Sequence, residues 1–248
     1  MIIIKSDADI ADIRQAGHIW KLTKDYIIQL LNRNPYRSLL QLDELIDAFI
    51  RSQHASSTFL GMYGFPKHVC ISVNDCVIHG IPDKYVLKDG DKVTFDIGVT
   101  YNNHVCDSAF NYLMPNASEA YKRIVAVCEQ SLQLGMEQVK AGNHVGDIGH
   151  AINDYITKQG YCLLPDYTGH GCGNKLHEDP YIYNYGEIGK GPILRKNMVI
   201  CIEPMIMTAS THYYTVRDWN VIASNHLPVD HVENMLLVTE DGYEILNN

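Results

Sequence analysis

Residues 92–113, KVTFDIGVTYNNHVCDSAFNYL, decide the fold that the sequence predicts. Apolar residues alternate with polar ones at the start of this stretch, so that Val93, Phe95 and Ile97 fall on one side. Alternation with a period of two residues is typical of a β-strand, and the later run HVCDSAFNYL predicts a second strand. The stretch therefore predicts a β-sheet near the end of the first half of the chain.

Helical patterns precede these strands, and the same order of elements recurs later in the chain. Ser6 with Asp9, and Asn116 with Glu119, are capping pairs that predict two of the helix starts. The predicted helices cover about residues 6–32, 38–53, 116–139 and 147–159. The other predicted strands are VCISV, CVIH, YCLL, NMVICIE, HYYTV, ENMLLV and, after a hairpin turn at Asp241-Gly242, YEIL.

This order of elements favours one α+β domain of residues 1–248, because no linker or low-complexity segment divides the chain. Two helices followed by strands, twice, predict similar halves of about residues 1–115 and 116–248. Strands that follow helices in blocks favour a mainly antiparallel sheet covered by helices.

Composition and charge limit the functional classes to which the protein is expected to belong. The formal net charge of −9, from 29 acidic and 20 basic residues, argues against general binding to nucleic acid or to an anionic membrane. The seven cysteines are odd in number and form no C-x-x-C pair, which is typical of reduced thiols in a cytoplasmic protein. No apolar run is long enough for a membrane span, and the apolar start after Met1 is too short for a signal peptide.

Acidic residues occupy strand positions beside apolar runs. Asp96 lies inside the first strand of the opening stretch, and Asp107 lies inside the second, eleven residues later. Glu203 ends the run MVICIE, and Glu233 precedes NMLLV. A carboxylate at such a position is costly unless it is solvated, paired or bound to a metal. Taken alone, each acid is explained as a strand residue whose side chain faces solvent. The sequence leaves open whether the four carboxylates lie together.

If these carboxylates met with an imidazole, the site would favour metal binding. Crowded carboxylates raise one another's pKa values unless cations intervene, and two divalent ions would match four negative charges. Oxygen ligands with one His suit Mn, Fe, Co or Zn. Two such ions, about 3.5–4 Å apart, bind one water between them, lower its pKa and polarise a carbonyl.

Residues 167–180, YTGHGCGNKLHEDP, offer such an imidazole. This segment places His170 and His177 among three glycines and a proline. It is too broken for a helix and too polar for a buried strand, so an irregular loop is predicted.

Five blocks of sequence together carry a family resemblance. They are YGFPKHVCISVNDCVIHGIPD (63–83), KDGDKVTFDIGVTYNNHVCD (88–107), GHGCGNKLHEDP (169–180), IEPM (202–205) and, more weakly, VEN (232–234). On these blocks the chain resembles the type I methionine aminopeptidases, over nearly its whole length. The resemblance implies the pita-bread fold of these metallohydrolases, with pseudo-twofold halves and a central, mostly antiparallel sheet.

The resemblance also implies a ligand set for two divalent ions, with the metal left open among Co, Mn, Fe and Zn. The family pattern places its metal ligands at Asp96, Asp107, His170, Glu203 and Glu233. It implies that Asp107 and Glu233 bridge both ions, while Asp96 serves one ion. His170 and Glu203 would serve the other ion, and Glu203 would also carry a proton from water to the leaving amine.

Substrate contacts follow from the same resemblance. His79 and His177 match family histidines that hydrogen-bond the substrate. The family's methionine pocket corresponds to Phe59, Met62, Phe65, Cys70, Leu176 and Trp219. Aromatic rings, a thiol and a flexible thioether suit a long unbranched side chain. For Phe59 and Leu176, an ordinary core role explains the residue nearly as well.

The chain departs from the family pattern at several positions. Cys106 stands where Gly is usual, Asn174 where an Arg is common, and Asn234 where His is usual. Met62 and Phe65 replace tyrosines. These differences put catalytic rate and pocket shape in doubt more than reaction type.

The other histidines match no functional family position. His104 is interpreted as a solvated residue at a strand end. Ordinary surface or core roles are expected for the rest, which are His18, His54, His68, His144, His150, His212, His226 and His231.

The resemblance predicts a cytoplasmic, monomeric hydrolase that removes the initiator methionine from nascent proteins, preferably before a small second residue. Its partners would be nascent polypeptide N-termini, with the ribosome left open, and neither nucleic acid nor membrane is expected. One alternative is a proline-directed peptidase of the same fold, although such enzymes usually carry an extra N-terminal domain. Another is a non-catalytic binding protein, although such relatives typically lose metal ligands.

Overall fold

The computed structural model describes residues 1–208 and 212–248. The described residues form these helices: α1 (Asp7–Arg33), α2 (Leu39–Ser52), α3 (Glu119–Met136) and α4 (Val145–Lys158), with a 3-10 turn at Met62–Gly64. The strands of the first half are β1 (Ser56–Ser57), β2 (Cys70–Val73), β3 (Cys76–Ile78), β4 (Lys92–Tyr101) and β5 (His104–Leu113). Those of the second half are β6 (Cys162–Leu163), β7 (Gly169–Gly171), β8 (Glu178–Ile182), β9 (Val199–Ile202), β10 (Met205–Met207), β11 (Tyr213–Val216), β12 (Asn220–Ala223), β13 (Val229–His231), β14 (Asn234–Val238) and β15 (Tyr243–Ile245).

The helix starts are fixed by side chains that bond free backbone N–H groups. Ser6 and Asp9 form the predicted capping box of α1. Ser38 caps α2 in the same way. The predicted cap of α3 at Asn116 is wrong, because the Ser118 hydroxyl accepts the hydrogen bond from the first turn instead. A serine at this position gives the first turn an acceptor that the backbone alone lacks.

The predicted strand pair of residues 92–113 is confirmed as the antiparallel hairpin β4–β5, paired along its full length. Helix α1 packs on this hairpin. The indole Nε1 of Trp20 donates to the carbonyl of Ile97 at 2.9 Å and to that of Ser108 at 3.2 Å. Both faces of β4 are buried, so Lys92 and Thr94 lie inside the protein with the apolar residues.

Every strand pair within the described residues is antiparallel, and the pairs form separate sheets. Strands β1, β4 and β2 form one sheet in that order, and β5 pairs with β4. A second sheet has the order β15-β14-β9-β7-β8. Two three-stranded sheets, β13-β10-β6 and β11-β12-β3, complete the described strands. The predicted combination of antiparallel sheet and helices is thereby confirmed.

The helices α1 and α3 cover mainly different strands. Helix α1 packs on β4 and β5, whereas α3 packs mainly on β13 and makes smaller contacts with β5, β9 and β10. The sheets meet where Ala109 of β5 pairs with Glu233, just before β14, in an isolated antiparallel bridge. This junction brings acidic residues of both halves together. No helix among the described residues has the length and apolar character that crossing a bilayer requires.

The loop predicted for residues 167–180 is wrong in part, because His170 lies at the centre of strand β7. This strand lies between β8 and β9 in the second sheet. A Cβ at Gly169 would collide with the carbonyl of Cys201, and one at Gly171 would collide with that of Asp179. Glycine therefore lets three strands approach closely here, which a pattern of polar residues and glycines does not reveal.

Candidate metal centre

A cavity of about 350 Å³ lies where these sheets meet. Its walls include residues of β3, β4, β5, β7, β10 and β13, so both halves of the chain contribute. All of the predicted site residues line it: Phe59, Met62, Phe65, Cys70, His79, Asp96, Asp107, His170, Leu176, His177, Glu203, Trp219 and Glu233.

Strand register explains how Asp96 and Asp107 reach the same cavity. In the hairpin, Asp96 pairs with Ala109, and Gly98 pairs with Asp107. Positions two apart on a strand share a face, so the two carboxylates lie diagonally across one face of the hairpin. The spacing of eleven residues therefore has a structural cause.

Glu233 reaches Asp107 through the bridge between the sheets. The amide of Glu233 donates to the carbonyl of Ala109 at 3.1 Å, and the amide of Ala109 donates back at 3.3 Å. The hydroxyl of Ser108 also donates to the carbonyl of Glu233. The backbone of Glu233 is thus fixed beside β5, and its carboxyl group faces the cavity.

His170 and Glu203 come from neighbouring strands of the second sheet. His170 pairs with Cys201 of β9, two residues before Glu203. The Nε2 atom of His170 lies 3.5 Å from Oε1 of Glu203 and 3.8 Å from Oδ2 of Asp107. One donor atom each from Asp107, His170 and Glu233 lie within 4.8 Å of one another.

Several buried carboxylate oxygens have no hydrogen-bond partner among the described residues. They are Oδ1 of Asp96, Oδ1 of Asp107 and Oε1 of Glu233. An unpartnered buried charge costs several kcal/mol, and native structures leave few such atoms. These oxygens and the His170 imidazole line one cavity and form the donor set that suits divalent transition metals. The residues present therefore fit a divalent-metal centre.

The electrostatics of the carboxyl groups agree with this fit. Burial raises the pKa of Asp107, Glu203 and Glu233 well above the ordinary value, and neighbouring carboxylates raise it further. Burial also raises the pKa of Asp96 to about 6, although His231 opposes the shift. Without cations these groups would hold protons that divalent ions displace.

The imidazoles are neutral, which is the form that binds metal. Burial lowers the pKa of His170 to about 3 and that of His79 to about 4. Burial lowers the pKa of His177 as well. It also lowers the pKa of His231, although the charges of Asp96 and Asp230 oppose this shift. Neutral rings offer a lone pair to a cation or a hydrogen bond to a substrate.

Both histidines expected at the substrate lie against aromatic rings. His79 has a left-handed backbone with φ of 56°, and its ring meets Tyr167 and Trp219 edge to face. His177 stacks on Tyr63 at 5.7 Å and contacts the His170 ring edge to face at 4.4 Å. A strained non-glycine backbone at His79 is typical of functional sites.

The predicted methionine pocket forms the apolar wall of the cavity. Phe65 packs edge to face against Phe59 at 6.4 Å and against Trp219 at 5.1 Å between ring centroids. Cys70 pairs with Asp96 across β2 and β4, so the apolar wall adjoins the carboxylates. Burial raises the pKa of the Cys70 thiol well above its ordinary value, so this wall carries no charge.

Comparison with known proteins gives the family. The sequence model of metallopeptidase family M24 matches residues 11–240. The chain belongs to metallopeptidase family M24.

Full-length relatives within family M24 support this assignment. The methionine aminopeptidase of Mycoplasma genitalium is 40% identical over 252 residues, covering 100% of both chains. Methionine aminopeptidase 1 of Bacillus subtilis is 38% identical over 247 residues, covering 99% of both chains. The crystal structure of methionine aminopeptidase from Rickettsia prowazekii superimposes with a TM-score of 0.95 at 34% identity, covering 100% of both chains. These findings confirm the resemblance that the sequence blocks carry.

Solved structures of lower identity share the fold alone. The X-Pro aminopeptidase from Thermotoga maritima superimposes with a TM-score of 0.79 at 20% identity. Our M24 chain covers 63% of that longer chain.

The sequence pattern did not single out His231, a titratable residue of the cavity. His231, expected to be an ordinary surface or core histidine, lines the cavity with Nε2 3.3 Å from Oε2 of Glu203. Its position two residues before Glu233 was the available signal, because residues two apart in extended chain face the same side. His104, in contrast, lies 2.9 Å from Asp9 of α1, away from the cavity.

Proposed function

We propose that this M24 protein is a metal-dependent methionine aminopeptidase that removes the N-terminal methionine from polypeptides, preferably before a small second residue. The observation that carries the proposal is one cavity that joins an apolar pocket to a buried set of carboxylates and imidazoles. We infer that its physiological substrates are nascent polypeptide N-termini in the cytoplasm and that the protein acts as a monomer.

Five side chains would hold the metal centre: Asp96, Asp107, His170, Glu203 and Glu233. Two bound divalent ions, of Co, Mn, Fe or Zn, would supply Lewis acidity and a water of lowered pKa. The unpartnered oxygens of Asp107 and Glu233 support their proposed role as bridges between the ions.

The acidic end of the cavity accounts for exopeptidase specificity. Two divalent ions held by these four carboxylates would match their charge and would offer a coordination site to the neutral free amine of a polypeptide N-terminus. A peptide bond in the middle of a chain brings no such group. This end of the cavity would therefore select the N-terminus of the substrate, and the adjoining apolar wall would select its first side chain.

The apolar wall suits methionine in particular. Phe65 and Trp219 line the cavity and pack edge to face against one another, and Met62 adds a flexible thioether. Sulfur–aromatic contacts contribute about 0.3–1.5 kcal/mol each, and unbranched side chains adapt to such walls.

The remaining steps fall to titratable side chains. Glu203 lines the cavity, and we infer that it takes a proton from water and passes it to the leaving amine. His79 and His177 would hydrogen-bond the substrate carbonyl and stabilise the tetrahedral intermediate with neutral rings.

Peptide cleavage by the metal-loaded protein tests the proposal. Protein titrated with Mn, Fe, Co and Zn should release free methionine from Met-Ala-Ser and leave Xaa-Pro peptides intact. Chelator-treated protein and the Asp107→Ala variant are the matched controls and should be inactive. Folded, metal-loaded protein that leaves Met-Ala-Ser uncut would contradict the proposal, and selective cleavage of Xaa-Pro peptides would favour a proline-directed enzyme.

A further inference from the structure

His231 is a buried histidine without a hydrogen bond. Its exposed fraction is 2%, and its side chain lines the cavity. Neither Nδ1 nor Nε2 has a hydrogen-bond partner among the described residues. Buried imidazoles normally donate from one nitrogen and accept at the other, so a ring with neither nitrogen hydrogen-bonded favours a ligand that is not part of the chain.

The imidazole of His231 faces one side of Glu203, and that of His170 faces the other. Nε2 of His231 lies 3.3 Å from Oε2 of Glu203, while Nε2 of His170 lies 3.5 Å from Oε1. Donor atoms of Glu203, His231 and Glu233 all lie within 4.8 Å of one another. The group of Asp107, His170 and Glu233 satisfies the same distance. The centre thus contains two donor groups that share Glu233, and each includes one imidazole.

The backbone of His231 is held in place from two sides. His231 pairs with Met205, two residues after Glu203, in the antiparallel pair of β13 and β10. On the other side, the Asn111 amide donates to the carbonyl of His231 at 3.2 Å and to the Asp230 carboxylate at 3.0 Å. A ring on such a fixed strand keeps its orientation toward the cavity, as a ligand must.

We propose that His231 is a metal ligand, which binds one divalent ion together with Glu203 and Glu233. Each ion then has one imidazole, from His170 at one ion and from His231 at the other. This division assigns Glu203 to the ion of His231, whereas the resemblance assigns it to the ion of His170. The inference rests on the proposed function, because it requires divalent ions in the cavity. A nitrogen ligand adds no charge to the crowded carboxylates, and it favours Zn or Co over Mg or Ca at the second ion.

Metal binding by His231→Gln and His231→Leu variants tests this proposal without relying on activity. Glutamine keeps hydrogen-bonding ability, whereas leucine fills the volume without any polar group. The control is His79→Gln, which alters another imidazole of the same cavity. Cobalt titration calorimetry gives the two affinities, and X-ray absorption of the zinc-loaded protein counts imidazoles per ion. Thermal unfolding of the metal-free variants establishes that each is folded.

Wild-type protein and the His79→Gln variant should each bind two ions, with two imidazole ligands for each pair of ions. Both His231 variants should lose at least about tenfold in affinity for one ion and retain one imidazole per pair. Glutamine should not rescue binding, which separates a ligand from a residue that only orients Glu203. Wild-type affinities in a folded His231→Gln variant, or an unchanged imidazole count, would overturn the proposal. Wild-type protein that binds no ion would overturn both this inference and the proposed function.

Discussion

Two clusters of buried charge lie side by side in this protein and differ in how their polar atoms are satisfied. In the first, which we call the Lys92 cluster, the ammonium of Lys92 donates to Asp230 at 3.1 Å and to the Thr94 hydroxyl at 3.0 Å. The Thr94 hydroxyl donates to Asn111, whose amide donates to the other Asp230 oxygen. The side chains of Lys92 and Asp230 are both 0% exposed, and their charges cancel.

The second cluster is the candidate metal centre, which shares two chain segments with the Lys92 cluster. Asp96 follows Lys92 by four positions, and Glu233 follows Asp230 by three. Here acids outnumber bases, and Asp96, Asp107 and Glu233 each keep an oxygen without a hydrogen-bond partner among the described residues.

The comparison teaches that burial alone does not separate structural from functional charges. Lys92 and Asp230 are as buried as Asp107 and Glu233, yet their opposite charges form an ion pair within the chain. The metal centre has no cationic side chain among the described residues, so protons or cations from solution must balance its carboxylates. The two clusters therefore differ in whether their polar atoms are hydrogen-bonded and their charges paired within the chain.

The largest expected effect follows from removing one bridging charge. Asp107→Asn keeps the side-chain volume but takes away the carboxylate that the proposed centre shares between ions. The kcat/KM for Met-Ala-Ser should fall by roughly 10⁴-fold, or about 5 kcal/mol, with a loss of bound metal. Steady-state kinetics and elemental analysis measure both, and a variant with normal metal content and rate would remove Asp107 from the centre.

Breaking the Lys92 cluster should act on stability instead. Lys92→Met leaves Asp230 buried and unpaired, so the metal-free protein should lose about 4 kcal/mol of unfolding free energy. The double variant Lys92→Met with Asp230→Asn should regain most of this loss. Urea denaturation gives the values. A loss below about 1 kcal/mol in the single variant would show that the pair is not structural.

The pH dependence of the metal-free protein should reflect the unbalanced acids. Burial raises the pKa of Asp96 from the ordinary 3.8 to about 6, so the folded state binds the proton more tightly than the unfolded state. Stability from this group is present below pH 3.8 and is lost as the pH rises to about 6. The slope is at most about 1.4 kcal/mol per pH unit for each such carboxyl.

Bound metal should reverse this trend, because ions replace the protons. Urea denaturation at several pH values, with Asp96→Asn as the control, measures the slope. Metal-free protein whose stability is the same in wild type and Asp96→Asn across pH 4 to 6 would contradict the raised pKa.

The smallest effect is expected from the apolar wall, which belongs to neither cluster. Phe65→Leu removes the ring that contacts Trp219 at 5.1 Å. The kcat/KM for Met-Ala-Ser should fall by roughly tenfold, about 1.4 kcal/mol, while both metal affinities stay unchanged. Calorimetry measures the metal affinities and kinetics measures kcat/KM, so the two effects can be separated. A parallel loss of metal affinity would show that the apolar wall also affects the metal centre.

Local signals predicted much of the fold. The alternation in residues 92–113 predicts the β4–β5 hairpin, and Ser6 with Asp9 predicts the start of α1 because capping depends on neighbours in sequence. Strand β7 was not predictable in this way, because its glycines matter only through the carbonyls of Cys201 and Asp179 across the sheet. Close approach between distant segments leaves no periodic pattern in the sequence.

The family resemblance predicted which residues line the cavity, and chemistry predicted why acids gather there. Neither predicted the Lys92 cluster or the place of His231. Lys92 and Asp230 meet across 138 positions of sequence, and His231 meets Glu203 through the pairing of β13 with β10. Contacts of this kind depend on strand register, which a single sequence does not specify.

Anomalous diffraction from a crystal soaked in manganese tests the difference between the clusters most directly. We expect two peaks, about 3.5–4 Å apart, in the cavity among Asp96, Asp107 and Glu233, and no peak beside Lys92. An empty cavity with these carboxylates turned apart or hydrogen-bonded to one another would contradict the account.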